Sequence, residues 1–469
     1  MITKEKIKSN DNSTEKNIAT PFAGRYSTAV IPRMEIPTKG VAAKIAYRVI
    51  HDQLLLDGRP DLNLSSFVTT WMEPEAEQLI QENLNKNFID HFQYPQTQII
   101  EGRCVNILAK LFHAPEENNY AGTSTIGSSE AIMLGLLAHK WKWKKHREQQ
   151  GKSTTNPNII FGAEAHVCVN KFAKYFDVEP RIVPMSQNDY VLRAEEISKY
   201  IDENTICVAL IVGTTYTGQV DPIGEVNDLL VKLNKENGWD IGIHIDGASG
   251  AFVMCFAFPD IKWDFRYERV RSINTSGHKY GLVYPGIGWL IFRDIEDLAS
   301  EIIFHVNYLG QTENSYTLNF SKPASGVIAQ YYNFIRLGSE GYKSIMESIL
   351  ENAQYLSKQI TASGKFKLLE AKTILPIVTF QLVKDEGFTI FDVSYKMKEK
   401  GWIISAYNLP PHAENVYMLR VVVRENFTHL SANIFMKDLL EVYEALSKEN
   451  KTMIGNPHMD KTKSSANAC

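Results

Sequence analysis

From about residue 120 onward, short apolar segments alternate with longer segments in which apolar residues recur at helical spacing. The short segments are rich in Ile and Val, and the helical segments between them include residues 129–146 and 223–237. This alternation predicts a mostly parallel β-sheet that is covered by helices on both faces. The predicted strands are residues 158–161, 206–212, 241–245, 270–274 and 288–292.

The flanking regions predict two smaller parts. Residues 38–57 have the pattern of an amphipathic helix, whose apolar face needs another surface, such as a second subunit. Residues 324–360 predict a long helix that links two domains. After it, strands at 377–382 and 418–423 and helices near 390–400 and 430–447 indicate a small α/β domain. We therefore divide the chain into residues 1–60 (oligomer contacts), 61–349 (large domain) and 350–469 (small domain).

Composition narrows the class of protein. A chain of 469 residues with 44% hydrophobic and 22% charged residues is typical of a globular protein with a large core. The net charge of −4 gives no reason to expect nucleic acid or an anionic membrane as a partner. Five scattered cysteines without paired spacing favour free thiols over a disulfide framework or a metal site.

The two ends of the chain and its hydropathy indicate where the protein resides. No apolar run approaches the roughly 18 residues that a membrane-spanning helix needs. The first twenty residues are polar and contain acidic side chains, which argues against a secretory or mitochondrial signal. We therefore expect a cytoplasmic protein, with polar, disordered segments at residues 1 to about 20 and 449–469.

Polar and titratable residues follow the predicted strands, where ligands bind in open α/β sheets. Lys279 ends the sequence Ser-Gly-His-Lys at 276–279, and Asp246 ends the apolar run at 241–245. A lysine can form a Schiff base with an aldehyde cofactor, and an aspartate can keep a pyridine nitrogen protonated. Together they suggest pyridoxal 5'-phosphate (PLP). Each residue taken alone is more often a surface lysine or a capping aspartate.

A segment rich in Gly, Ser and Thr at residues 122–131 precedes the helix that runs through Trp141. Free backbone N–H groups at a helix N-terminus bind phosphate, and the hydroxyl groups of Ser128 and Ser129 add donors. The spacing of Gly122 and Gly127 is that of a P-loop, but a serine stands where the P-loop lysine is required. This argues against an NTPase, whereas a plain serine cap stays an equal alternative.

Taken together, these residues resemble the glutamate decarboxylases, which are PLP enzymes of the group II amino-acid decarboxylase family. The resemblance covers about residues 22–445. It implies the aspartate-aminotransferase-like fold (fold type I), with a mostly parallel seven-stranded sheet in the large domain and a small C-terminal α/β domain. It rests on residues 63–67, 85–87, 127–130, 216–218, 244–246, 276–279 and 319–323.

The resemblance also implies residue roles at the matching positions. Lys279 would form the Schiff base, Asp246 would bind the pyridine nitrogen, and His166 would stack on the ring as the third catalytic residue. Ala248 would pack on the other face of the ring, and Thr215 would contact it. The phosphate would be held by Ser128, Ser129, Ser276 and His278, with Ser321 reaching in from a partner subunit.

For the substrate, the resemblance implies that the side-chain carboxylate is held partly by the neighbouring subunit. The matching residues are Ser66, Phe67, Asn87 and Asp90, although an aspartate in a loop is more often a cap. Arg420 would receive the α-carboxylate. Shared sites imply at least a homodimer, with dimer and hexamer both open. Because a glutamate carboxylate facing Asp90 would create adjacent like charges, we expect higher activity below neutral pH.

One departure from the family pattern bears on the substrate. His166 occupies the ring-stacking position at which familiar glutamate decarboxylases carry Gln, and Val169 and Asn170 replace the usual residues nearby. Related decarboxylases for aromatic amino acids use His there. The implied reaction is α-decarboxylation of L-glutamate to 4-aminobutyrate and CO2, with one proton consumed per turnover. The alternatives are decarboxylation of aspartate, cysteine sulfinate or an aromatic amino acid, or an idle subunit with this fold.

Overall fold

The computed structural model describes residues 34–116, 119–186, 189–307, 313–369 and 373–449. They fall into two compact units, one that ends at Arg59 and one that begins at Pro60. The predicted disordered ends, residues 1–20 and 449–469, lie outside the described residues, except for Glu449, which is the last residue of a helix. No helix in the described ranges is long and apolar enough to cross a membrane.

The described part of the first unit contains one helix, α1 (Ala43–Leu54), which confirms the helix predicted within residues 38–57. Its apolar residues lie on one side, as the pattern requires, but no residue of α1 is buried. Ile50 and Leu54 are each more than half exposed. The apolar side of α1 is therefore available for contact.

The second unit is built on a seven-stranded sheet with the order β1-β7-β6-β5-β4-β2-β3. Strands β2 to β6 run parallel to one another, whereas β7 is antiparallel to both β6 and β1. All five predicted strands are confirmed to within a few residues. The strands are β1 (Ala121–Thr125), β2 (Asn158–Gly162), β3 (Glu179–Val183), β4 (Thr205–Ile211), β5 (Gly242–Asp246), β6 (Val270–Ser276) and β7 (Gly288–Phe292).

Two of these strands were not predicted. β1 has the sequence Ala-Gly-Thr-Ser-Thr, which we had interpreted as a loop before a helix, and it is buried only because it pairs with β7. β3 is an edge strand with exposed Glu179, Pro180 and Ile182. Neither strand has the continuous apolar run of a central parallel strand.

Helices cover both faces of this sheet and link it to the next one. The 38-residue helix α9 has a kink at Gly338, which has a φ of 59°. The predicted boundary between residues 349 and 350 falls inside α9. The helices are α2 (Pro74–Glu82), α3 (Pro95–Leu111), α4 (Ser128–Gln149), α5 (Val167–Tyr175), α6 (Ala194–Ile197), α7 (Ile223–Asn237), α8 (Ala251–Ala257) and α9 (Ser325–Ala362).

After α9, a four-stranded antiparallel sheet forms with the order β10-β11-β13-β12. The predicted strands at 377–382 and 418–423 and both predicted helices are confirmed. A separate two-stranded ribbon consists of β8 (Phe304–Val306) and β9 (Glu313–Ser315). The remaining elements are β10 (Phe366–Leu368), β11 (Ile377–Leu382), α10 (Ile390–Glu399), β12 (Ser405–Asn408), β13 (Tyr417–Val422) and α11 (His429–Glu449).

Burial of the central strands stabilises the arrangement. All seven residues of β4 and all five of β2, β5 and β7 are buried. Each fully buried Ile, Leu or Val side chain contributes about 1.5–3 kcal/mol relative to exposure. The rigid sheet that results fixes the positions of the loops at the carboxyl ends of its strands.

Candidate active site

A cavity of about 410 Å³ lies at the carboxyl ends of the parallel strands, within the size range of small-molecule sites. Its wall combines the N-terminus of α4 with the loops that follow β2, β4, β5 and β6. Nine of the predicted cofactor residues line it: Ser128, Ser129, His166, Thr215, Asp246, Ala248, Ser276, His278 and Lys279.

Lys279 lies in the turn after β6, and its amine points into the cavity wall. Nζ donates a hydrogen bond to Ser249 Oγ at 3.0 Å and lies 5.4 Å from the centre of the Phe67 ring. Thr69 Oγ1 donates to the Lys279 carbonyl at 2.8 Å, which fixes the backbone. Burial lowers the pKa of the Lys279 amine, and the charge of Asp246 opposes this shift. The amine is thus more readily neutral and nucleophilic than that of a surface lysine.

Asp246 ends β5, and its carboxylate is held by two donors. Asp246 Oδ1 accepts hydrogen bonds from Ala248 N at 3.0 Å and from Asn274 Nδ2 at 3.1 Å. The side chain is 7% exposed. It is therefore a fixed, buried negative charge in the cavity wall.

A chain of hydrogen bonds supports Asp246 from behind. The amide nitrogen of Asn274 donates to Asp246. Asn274 Oδ1 therefore faces the other way and accepts from His244 Nε2 at 3.0 Å. His244 Nδ1 is then an acceptor for the Ser272 hydroxyl at 2.8 Å, and Ser272 Oγ accepts from His139 Nε2 at 3.0 Å. Burial lowers the pKa of His244 to about 4 and also lowers that of His139. Both rings are therefore neutral, and the chain of donors points towards Asp246.

The N-terminus of α4 forms another part of the cavity wall. Ser276 Oγ donates to Ser128 Oγ at 2.8 Å, while Ser129 is exposed. His278 Nδ1 is buried and has no hydrogen-bond partner among the described residues. A Cβ at Gly288 would lie 2.5 Å from the carbonyl carbon of Gly127, so glycine is required for β7 to approach this turn. Hydroxyl groups, an unpaired imidazole nitrogen and free N–H groups together suit a phosphate.

His166 is the N-cap of α5 and forms one wall of the cavity. Its Nδ1 accepts from Cys168 N at 3.3 Å, which leaves the proton on Nε2 of the neutral ring. Burial is the main cause that lowers the pKa of His166. The imidazole is therefore a neutral, flat surface rather than a charged group.

Besides Phe67, whose ring centre lies 5.4 Å from the Lys279 amine, five predicted residues do not line the cavity of the described chain. Ser66 Oγ accepts from Val68 N at 3.1 Å, and Asp90 Oδ1 accepts from Gln93 N at 2.9 Å, as in an ordinary cap. Asn87 Nδ2 donates to Ser321 Oγ at 3.2 Å, and both residues are exposed. One chain alone does not bring Ser66, Asn87, Asp90 or Ser321 to the cofactor residues.

Arg420, the fifth of these residues, lies in β13 and is 1% exposed. Its guanidinium donates to the carbonyl groups of Thr215 at 2.6 Å and Ser65 at 2.7 Å. It also lies 5.1 Å from the Phe67 ring, whose other neighbour is the Lys279 amine. Nε of Arg420 is buried and has no partner among the described residues.

Sequence reasoning assigned no role to four polar residues of the cavity wall, namely Glu130, Glu164, Ser249 and Asn319. Ser249 belongs to the same short loop as Asp246, so the loop itself was a usable signal. Asn319 belongs to the segment 319–323 on which the resemblance rests, and its N–H donates to Glu130 Oε1 at 2.9 Å. Glu164 follows the predicted strand at 158–161 and lies two residues before His166, so its position was also a usable signal.

A half-buried lysine, a buried aspartate and a helix N-terminus around one cavity fit the aldehyde, the pyridine nitrogen and the phosphate of PLP. On this mostly parallel sheet they define a PLP-dependent enzyme of fold type I. A family profile described as "Pyridoxal-dependent decarboxylase conserved domain" matches residues 42–383, which is well over half of the chain. The chain belongs to this family.

Relatives with known names are similar over most of their length. The chain is 46% identical to a glutamate decarboxylase of Solanum lycopersicum over 438 residues, which cover 93% of this chain and 87% of the relative. It is 43% identical to one from Aliivibrio fischeri, over 90% of this chain and 92% of the relative. A solved glutamate decarboxylase of Lactobacillus brevis has a TM-score of 0.88 and 41% identity, covering 91% of this chain and 98% of that one.

Proposed function

We propose that this protein removes the α-carboxyl group of L-glutamate as CO2 and releases 4-aminobutyrate, with PLP as its cofactor. The observation that carries the proposal is the placement of the Lys279 amine and the Asp246 carboxylate in the wall of one cavity. The identity of 41–46% to glutamate decarboxylases supports glutamate as the substrate.

Different residues of the cavity wall hold the aldehyde, the pyridine ring and the phosphate of the cofactor. Lys279 holds the cofactor covalently through its amine, and Asp246 keeps the pyridine nitrogen protonated. When bound, PLP supplies an electron sink for the bond that breaks at Cα. Neutral His166 and Ala248 would cover the two faces of the ring, and Thr215 would contact it, since all three line the cavity. The phosphate is held by Ser128, Ser129, Ser276 and His278.

The chain's own residues also orient the substrate and move a proton. Arg420, with its unpaired Nε, binds the α-carboxylate and orients the bond that breaks. Lys279, whose pKa is lowered by burial, returns a proton to Cα at the end of the reaction. Each turnover then consumes one proton, because the proton replaces the lost carboxyl group.

We further propose that the active unit is at least a homodimer. Asn87 and Ser321 are exposed and hydrogen-bonded to each other, away from the cavity of their own chain. A partner that presents this surface to the neighbouring cavity would add Ser321 near the phosphate. It would also add Asn87 and Asp90 near the substrate side chain, beside Ser66 and Phe67.

A reducing, cytoplasmic location completes the proposal. The four cysteines within the described ranges, Cys104, Cys168, Cys207 and Cys255, are free. Burial raises the pKa of each of these thiols, which leaves them unreactive. Such cysteines are typical of a compartment in which disulfides do not persist.

Absorbance tests the cofactor assignment. The purified protein should absorb near roughly 420 nm, because a PLP Schiff base is yellow. Lys279→Ala should lose this band, whereas Lys232→Ala, at an exposed position on α7, should keep it. A band that survives Lys279→Ala would contradict the assignment of the cofactor lysine.

A further inference from the structure

Two buried carboxyl groups lie together at the edge of the cavity. Glu164, in the cavity wall, is 1% exposed, and Asp221 is 3% exposed. Glu164 Oε1 accepts from Leu192 N at 2.9 Å, and Asp221 Oδ2 accepts from Ile211 N at 2.7 Å. The two side chains are within hydrogen-bonding reach of each other. Neither belongs to the cofactor residues assigned above.

The remaining oxygens of this pair lack donors. Glu164 Oε2 and Asp221 Oδ1 are both buried, and neither has a hydrogen-bond partner among the described residues. Two ionised carboxylates cannot form a hydrogen bond with each other, because each offers only acceptor oxygens. A single proton between them would turn one into a donor and satisfy both oxygens. Leaving both charged in a buried site would cost several kcal/mol.

The pair joins the loops that carry two cofactor residues. Glu164 lies two residues before His166, in the loop after β2, and Asp221 ends the loop after β4 that carries Thr215. The N–H of Leu192 donates to Glu164, so the loop after β3 is also attached to this pair. The Glu164 carboxyl group folds over Gly162, where a Cβ would lie 1.9 Å from Oε1. The backbone is therefore shaped to accept this carboxyl group.

We propose that Glu164 and Asp221 share one proton and act as a positioning pair, which holds the loop of His166 against the loop of Thr215. Loss of the shared proton would leave two repelling charges between these loops and loosen the wall of the cofactor site. This proposal rests on the proposed PLP function. It predicts that the protein loses its bound cofactor as the pH rises.

The surroundings of the pair favour the shared proton. Burial, then the charge of Asp221, raises the pKa of Glu164, and burial raises the pKa of Asp221. Asp246 adds a third negative charge that acts on Asp221. Tyr216 is also within electrostatic range of Glu164, but its pKa, raised to about 12 by burial, keeps it neutral.

The sign of the pH effect follows from these shifts. The folded pair keeps a proton in the pH range above the ordinary carboxyl pKa values, where the same groups in an open or unfolded chain have lost theirs. The stabilisation from the pair is therefore complete in acid and declines as the pH rises towards the raised pKa. A rising pH should loosen the two loops rather than tighten them.

Glu164→Gln tests the proposal, because its amide donates permanently to Asp221 and carries no charge. The holoenzyme is passed through gel filtration at a series of pH values from about 6 to about 9, and the retained PLP is released and quantified. The midpoint of cofactor loss should shift upward by at least about one pH unit in Glu164→Gln. Asp221→Asn, which donates to Glu164 Oε2 in the same way, should give the same shift.

Glu195→Gln, at an exposed position on α6, is the matched control and should keep the wild-type midpoint. If both site variants fold, as judged by circular dichroism, and keep the wild-type midpoint, the positioning pair is overturned. The same holds if both lose the cofactor at every pH, since an amide would then fail to replace the shared proton. Because retained PLP is measured without substrate, failure of glutamate decarboxylation would be seen separately.

Discussion

At the residue scale, the chemistry depends on how burial and charge act on a few side chains. Lys279 and Asp246 are close enough for the Asp246 charge to act on the pKa of the lysine. Burial lowers the pKa of Lys279, whereas Asp246 is held by the Ala248 N–H and the Asn274 amide. One group is thus prepared to act as a nucleophile and the other to stay a carboxylate, as PLP chemistry requires.

Asp246→Asn should lower kcat by at least about a hundredfold while PLP stays bound. The amide can still accept through Oδ1, so the local structure persists, but it cannot keep the pyridine nitrogen protonated. Steady-state kinetics, with bound PLP measured in the same sample, would check this. A variant that keeps the cofactor and a near-normal kcat would show that Asp246 has a structural role only.

At the element scale, helix α4 serves the site twice. Its N-terminus forms the anion-binding end of the cavity, and its interior supports Asp246 through His139, Ser272 and His244. Gly135 allows this support, because a Cβ there would lie 2.9 Å from Cε1 of His244. The packing of one helix against β5 and β6 therefore reaches the cofactor carboxylate.

Gly135→Ala should push the His244 ring out of place and lower the free energy of unfolding by about 1–3 kcal/mol. It should also weaken PLP binding, because Asn274 loses its fixed orientation towards Asp246. Denaturant unfolding and PLP titration would measure the two effects.

Gly102→Ala on α3 is the control, because an added Cβ meets nothing within 4 Å there. Its expected effect is between zero and a gain of about 1 kcal/mol. Equal behaviour of the two variants would contradict the role of Gly135.

The elements also show what the sequence could and could not predict. β4, with the sequence Thr-Ile-Cys-Val-Ala-Leu-Ile, is a continuous apolar run because both of its faces are covered, so its pattern alone identified it. β1 has no such run, and it becomes a strand through antiparallel pairing with the distant β7. Similarly, Lys279, Asp246 and Glu164 all follow recognisable strands, whereas the proximity of Glu164 to Asp221 depends on the packing of loops that the sequence pattern does not give.

At the scale of the whole molecule, one chain brings together nine of the predicted cofactor residues but leaves several predicted residues outside the cavity. Ser66, Asn87, Asp90 and Ser321 do not line the cavity within the described chain. Helix α1, in which no residue is buried, offers a surface for association, as does the exposed pair of Asn87 and Ser321. Both features agree with an active site that is completed by a second copy of the chain.

Mixing two inactive variants tests the shared site. A chain with Lys279→Ala and a chain with both Asn87→Ala and Ser321→Ala should each be inactive alone, since each harms every site of its own dimer. After unfolding and refolding together, a random mixture should recover up to about a quarter of wild-type activity, because half of the dimers would contain one intact site. Activity no higher than the sum of the parents would contradict shared sites.

The central claim is decarboxylation of glutamate at Lys279, and CO2 release from a panel of amino acids tests it most directly. The panel contains glutamate, aspartate, cysteine sulfinate and an aromatic amino acid, each at about pH 5 and about pH 8, with Lys279→Ala as the control. We expect release from glutamate, faster at the lower pH and abolished by Lys279→Ala. Release from another acid instead of glutamate would contradict the substrate assignment and direct attention to His166, and release that survives Lys279→Ala would contradict the mechanism.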